Sequence, residues 1–141
     1  MPEFRTRPLH REVLIEELSA FCGIFAEAGI TGASLSFGWD SELEIEEMWQ
    51  PYEAPLKSIT ERVEQAEQDG IVRIGAADIF IHVGSVQLLL CHEGDLHLTG
   101  EGPVVAKLVA RWHEQGLEPV QVENSSFVWP VTPGEGGRSE A

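Results

Sequence analysis

A chain of 141 residues with 43% apolar side chains is long enough for one domain with a hydrophobic core and too short for two. Its 24 acidic residues against 9 Lys and Arg give a formal charge of −15, the opposite sign from that which phosphate neutralisation needs, and this argues against nucleic acid and anionic membranes as partners. No apolar run reaches the roughly 18 to 20 residues of a bilayer span, and the opening Met-Pro-Glu-Phe-Arg-Thr-Arg-Pro lacks the apolar stretch of a secretory signal, so a soluble cytoplasmic domain is expected.

Residues 1–7 offer little to bury and read as a flexible arm; 133–141, Pro-Gly-Glu-Gly-Gly-Arg-Ser-Glu-Ala, read as a disordered tail. Between them, 8–132 reads as a single domain. From Pro8 to Ala28, Leu14, Leu18, Phe21, Cys22 and Phe25 recur at helical spacing, with Glu12, Glu16 and Glu27 off that face and Gly29 as the stop. Thr31–Trp39 then alternates Ala33, Leu35, Phe37 and Trp39 with small residues, as a strand does. After a turn at Asp40-Ser41, Glu42–Glu46 alternates in the same way and predicts a hairpin partner, although 46–50 also suits the start of a helix; Pro51 and Pro55 break the run.

A second helix is expected from Pro55 to Gly70 on Leu56, Ile59, Val63 and Ala66, and a short strand over Ile71–Ile74. Asp78–Val83 and Val86–His92 form a hairpin across Gly84-Ser85, a pair suited to a type II′ turn, with Ile81 opposite Leu88, Ile79 opposite Leu90 and Phe80 opposite Leu89. Both its faces are apolar, so it belongs at the centre of the sheet with both faces covered, or with one against another subunit. A turn at Glu93-Gly94 returns the chain through Asp95–Thr99, and Gly102-Pro103 opens a third helix carrying Val105, Leu108, Val109 and Trp112. Glu118–Glu123 and Phe127–Val131 are late strands, Pro130 placing the last at an edge. The order predicts an α+β domain with three helices and a mainly antiparallel sheet of about six strands.

Three groups of residues invite a functional reading. Asp40, Glu42, Glu44, Glu46, Glu47 and Glu53 lie in an interval, Arg11 to Lys57, that holds ten acids and no Lys or Arg between its ends. Such a face is relieved by solvent, by a cation or by a basic protein; no Asp-x-Asp-x-Asp-Gly loop supports calcium. The central strands carry His82, His92 and His97. With the second turn at Glu93-Gly94, His97 faces the Leu90 side and His82 the Phe80 side; a turn at Gly94-Asp95 instead pairs His92 with His97 as a weak metal site. Cys91 neighbours His92, but alternation along a strand points them to opposite faces. Cys22 and Cys91 both fall in apolar patterns and read as buried free thiols. Among the aromatics, Trp39 and Trp112 suit the core, whereas Trp49 and Tyr52, flanked by acids and prolines, suit an exposed anchor.

The preferred reading is a non-enzymatic binding protein that needs no cofactor. It docks onto a basic protein partner through Asp40, Glu42, Glu44, Glu46, Glu47, Trp49, Tyr52 and Glu53, in the manner of an inhibitor or an immunity protein neutralising a toxin. The alternative is a small-ligand or metal-binding enzyme built on the strand histidines. A homodimer through the doubly apolar sheet is compatible with either.

Overall fold

In the computed structural model, which describes residues 1–122, the Gly84-Ser85 turn lies at the centre of a seven-stranded antiparallel sheet. The element order is β1 (Glu3–Arg5), α1 (Arg11–Glu27), β2 (Gly32–Phe37), β3 (Tyr52–Pro55), α2 (Ile59–Gln68), β4 (Ile79–Val83), β5 (Val86–Leu90), β6 (Leu96–Thr99), α3 (Pro103–Glu114) and β7 (Val120–Val122). The strands run β3-β2-β4-β5-β6-β1-β7 across the sheet. This is the single α+β domain expected, with one strand more. The β4–β5 register is the one read from the hairpin, Ile79 with Leu90, Phe80 with Leu89 and Ile81 with Leu88.

All three helices pack on one face of the sheet. Leu14, Leu18 and Phe21 of α1, Ile59 and Val63 of α2, and Leu108 and Trp112 of α3 share a core with Leu35, Ile79, Ile81, Leu88, Leu90, Leu96 and Leu98. The helices hold that layer because their apolar positions recur at three- and four-residue spacing, while the strand residues recur at two. Among the described residues no helix is long and apolar enough to cross a membrane. On the opposite face Phe80, Leu89 and Cys91 are buried as well, with Trp49 packed against them.

Several expectations are corrected. The stretch read as a flexible arm contains β1, which lies between β6 and β7, with Phe4 paired to Leu98 on one side and Gln121 on the other. Phe4 packs against the helix-side core, so its few apolar atoms are buried by partners distant in sequence. Helix α1 starts at Arg11 because the preceding backbone is engaged elsewhere, the Leu9 amide donating to the Gly94 carbonyl at 2.8 Å. Glu42–Glu46 is no strand. Residues 38–51 form a turn-rich loop, and the partner of β2 is β3, with Leu35 opposite Tyr52. Ile71–Ile74 contributes only a parallel bridge between Ile74 and Ala77. The expected strand Phe127–Val131 and the tail 133–141 lie outside the described residues.

Candidate functional site

The loop after β2 is shaped by two left-handed residues, Asp40 at φ 65° and Trp49 at φ 62°. It is tied down by backbone hydrogen bonds: Glu42 N–H to the Ile71 carbonyl at 2.7 Å, Trp49 N–H to the Phe37 carbonyl at 2.6 Å, and Asp78 N–H to the Trp39 carbonyl at 2.9 Å. Asp40, Glu42, Glu44, Glu46, Glu47 and Glu53 are all exposed. Among the described residues none of them forms a salt bridge. Glu53 accepts a hydrogen bond from Ser34 Oγ at 2.6 Å, and Glu47 accepts one from the Glu44 amide at 3.3 Å. The acids therefore stand around a loop and not along one pleated face.

The aromatics of this loop exchange places relative to expectation. Trp39 is 53% exposed and Tyr52 42%, and between them Ile45 is 66% exposed. Trp49, by contrast, turns inward onto Phe80, Leu89 and Cys91, and Trp39 leans on it edge to face at 4.9 Å. Strand alternation stops at Phe37, so Trp39 escapes the core; the left-handed backbone at residue 49 sends its indole back over the sheet. The exposed anchors are thus Trp39 and Tyr52. Burial raises the Tyr52 phenol pKa. A shallow cavity of about 380 Å³ beside Tyr52 is floored by Phe37, Leu43 and Ile71 and rimmed by Glu46 and Glu47.

Gly38 permits the inward turn of Trp49. A Cβ on it would lie 2.5 Å from Trp49 Nε1 and 2.9 Å from Phe80 Cε2, distances that only ring displacement relieves. Gly38→Ala is expected to destabilise the fold by ~1–3 kcal/mol through overpacking and to shift Trp49 emission towards that of a solvated indole. Urea unfolding followed by fluorescence checks both, and an unchanged midpoint refutes the wedge.

Beneath this loop, the second face of the sheet carries a row of titratable groups. The turn between β5 and β6 is one residue longer than either register read from the sequence. Cys91 pairs with Asp95 through its amide at 2.9 Å, and Leu89 lies opposite His97. The three-residue turn His92-Glu93-Gly94 closes on Gly94 in the left-handed region, φ 90°, as such hairpins require. His97 is thereby moved from the expected Leu90 side to the side of Phe80, His82 and Cys91. His82 is on that face without joining the cluster around Cys91; burial lowers its pKa, against a hydrogen bond with Gln87 that favours the protonated ring.

The row itself reads from end to end as alternating acid and base. His92 Nδ1 and its backbone N–H each meet Asp78 Oδ1 at 2.8 Å, and this bond raises the His92 pKa, with Asp40 of the loop adding to it. The Cys91 sulfur lies 3.9 Å from His92 Nδ1. The expected opposition of these neighbours fails because β5 ends at Leu90 and His92 opens the turn. Burial, helped by the charges of Asp95 and Asp78, pushes the Cys91 thiol up to about 12. His97 Nε2 meets Asp95 Oδ2 at 2.8 Å. Burial works against the charged carboxylate there, but the hydrogen bond and charge of His97 prevail and the Asp95 pKa is lowered. On the far side, His97 Nδ1 is 3.7 Å from Glu3 Oε2, which Arg5 also binds. Glu3, Asp78 and His97 are buried.

No family model, curated protein or solved structure matches this chain, so the two regions are read from their own chemistry.

Proposed function

We propose that this chain is a non-enzymatic binding protein that docks onto a basic protein partner through the loop 39–53. The observation that carries the reading is the exposure of Trp39, Ile45 and Tyr52 among six acids that form no salt bridge among the described residues. Rigid aromatics bury large area at small entropic loss, and a ring of acids keeps out water and unlike partners once a basic surface covers it. The cavity beside Tyr52 suits a Lys or Arg side chain, whose hydrocarbon stem matches Phe37, Leu43 and Ile71 and whose head meets Glu46 and Glu47. Backbone ties hold the loop in shape before binding, which lowers the entropy lost on association. By size and charge, small inhibitors and immunity proteins that neutralise basic toxins are the type this profile fits.

The test starts from a partner captured stoichiometrically at low salt and measures its affinity for variants. Reversing Glu42, Glu44 and Glu46 to Lys should weaken binding on the order of 100-fold, since each 1.4 kcal/mol is tenfold. Reversing Glu12, Glu101 and Glu114, also exposed but outside this loop, should change it less than ~10-fold, because exposed charges away from the contact are screened at physiological salt. Equal losses in the two triple variants would show non-specific charge attraction and refute the docking face. Trp39→Ala should weaken binding by ~2 kcal/mol or more without altering the fold.

A further inference from the structure

The cluster around Cys91 combines donors of three kinds in one buried place. One ligand atom each from Cys91, Asp95 and His97 lie within 4.8 Å of one another. All come from a single hairpin turn and its flanks, so their spacing is fixed by the ladder that pairs Leu90 with Leu96 and Leu89 with His97. His97 is 8% exposed, and its Nδ1 has no hydrogen-bond partner among the described residues. Orphaned buried polar atoms are uncommon and call for an explanation.

We propose that Cys91, Asp95 and His97 form a binding site for a zinc-class divalent cation, ligated through Cys91 Sγ, a carboxylate oxygen of Asp95 and His97 Nε2. A thiolate beside an imidazole selects a borderline or soft ion over calcium and magnesium, which take oxygen. Thiolate and carboxylate together neutralise the two positive charges, so the buried site carries no net charge once loaded. Zinc bond lengths of about 2.0 to 2.3 Å at tetrahedral angles need donors roughly 3.4 to 3.6 Å apart. The His97–Asp95 contact of 2.8 Å has to open by roughly 0.6 to 0.8 Å to reach that spacing.

Loading also accounts for the orphan nitrogen. An ionised Asp95 only accepts, so in the free protein Nε2 carries the imidazole proton. The ion takes that nitrogen's lone pair, the proton passes to Nδ1, and Nδ1–H then donates towards Glu3 Oε2, now 3.7 Å away. A carboxylate behind a ligating histidine is the usual support for such a ligand. The thiol proton of Cys91 leaves to solvent as the sulfur–metal bond forms, so ion binding releases protons. His92, held by Asp78 through two contacts of 2.8 Å, stays outside the ligand set.

The test uses the full chain, treated with a chelator, and Co²⁺ as a spectroscopic stand-in for zinc. Titration should give one equivalent of a thiolate-to-cobalt charge-transfer band that added Zn²⁺ bleaches. Cys22→Ser and His92→Ala should keep the band; Cys91→Ser should abolish it, and Asp95→Asn and His97→Gln should weaken binding by ~100-fold or more. Absence of the band in the unmodified chain, which depends on no variant folding, overturns the site. So does a band that survives Cys91→Ser, or one lost with His92→Ala and kept with His97→Gln.

Discussion

Arg111→Ala is expected to destabilise the domain by ~3–5 kcal/mol, the loss typical of a buried ion pair broken from one side. Arg111 of α3 grips Glu17 of α1 with two bonds, Nε to Oε1 at 2.8 Å and a terminal nitrogen to Oε2 at 3.0 Å. The Glu17 side chain is 1% exposed while Arg111 is 34% exposed. Removing the arginine therefore leaves a carboxylate in the core with no cation and no water, while the arginine itself loses little. Arg111→Lys should fall between, because an ammonium cannot reproduce the parallel pair. Replacing both partners by Met removes the uncompensated charge and should restore most of the stability. Urea unfolding of the three variants checks the order; a loss below ~1 kcal/mol in Arg111→Ala would show that solvent reaches Glu17 after all.

The second large effect is expected at Trp112, which is 1% exposed in the layer between α3 and the sheet. Trp112→Ala should be destabilising by ~3–5 kcal/mol, the range for emptying an aromatic core site. Trp112→Phe should be destabilising by much less, within ~1 kcal/mol. The indole Nε1 has no hydrogen-bond partner among the described residues, so phenylalanine gives up some packing volume and at the same time removes an unsatisfied N–H. Calorimetric melting of the two variants decides the point, and equal losses would mean that the nitrogen is satisfied in solution.

The helical and hairpin parts of this fold were legible because their signals are local. Leu14, Leu18 and Phe21 declare the face of α1, and Gly84-Ser85 between two apolar runs declares the central hairpin and its register. Glu17 was not legible. It sits beside Leu18 on the buried face, and only the arrival of Arg111 from ninety-four positions along the chain makes that tolerable. The β1 strand failed for the same reason, since three residues with one aromatic carry no signal until two partner strands flank them. The acidic run was visible as charge, but its alternation mimicked a strand, and this misplaced Trp39 and Trp49.

The cluster around Cys91 was missed by a single residue of turn length. Counting Glu93-Gly94 as a two-residue turn put His97 among the helix-side leucines. Counting His92-Glu93-Gly94 as a three-residue turn ending in glycine, a standard hairpin closure, brings it to Cys91 and Asp95. That signal was present in the sequence, and the register error hid it because a one-residue slip reverses every side chain beyond the turn.

The placement of Glu3–Arg5 between β6 and β7 has a consequence for how the domain is made. Phe4 must wait for Leu98 and Gln121, so on the ribosome this short segment remains unpaired until almost the whole described domain has emerged. Closing so long a loop carries a large entropic cost before any contact rewards it. Until then β6 presents an open edge that any other extended chain can occupy. The β6 edge of this sheet is thus closed late, and what is fused ahead of residue 1 bears directly on the strand that closes it.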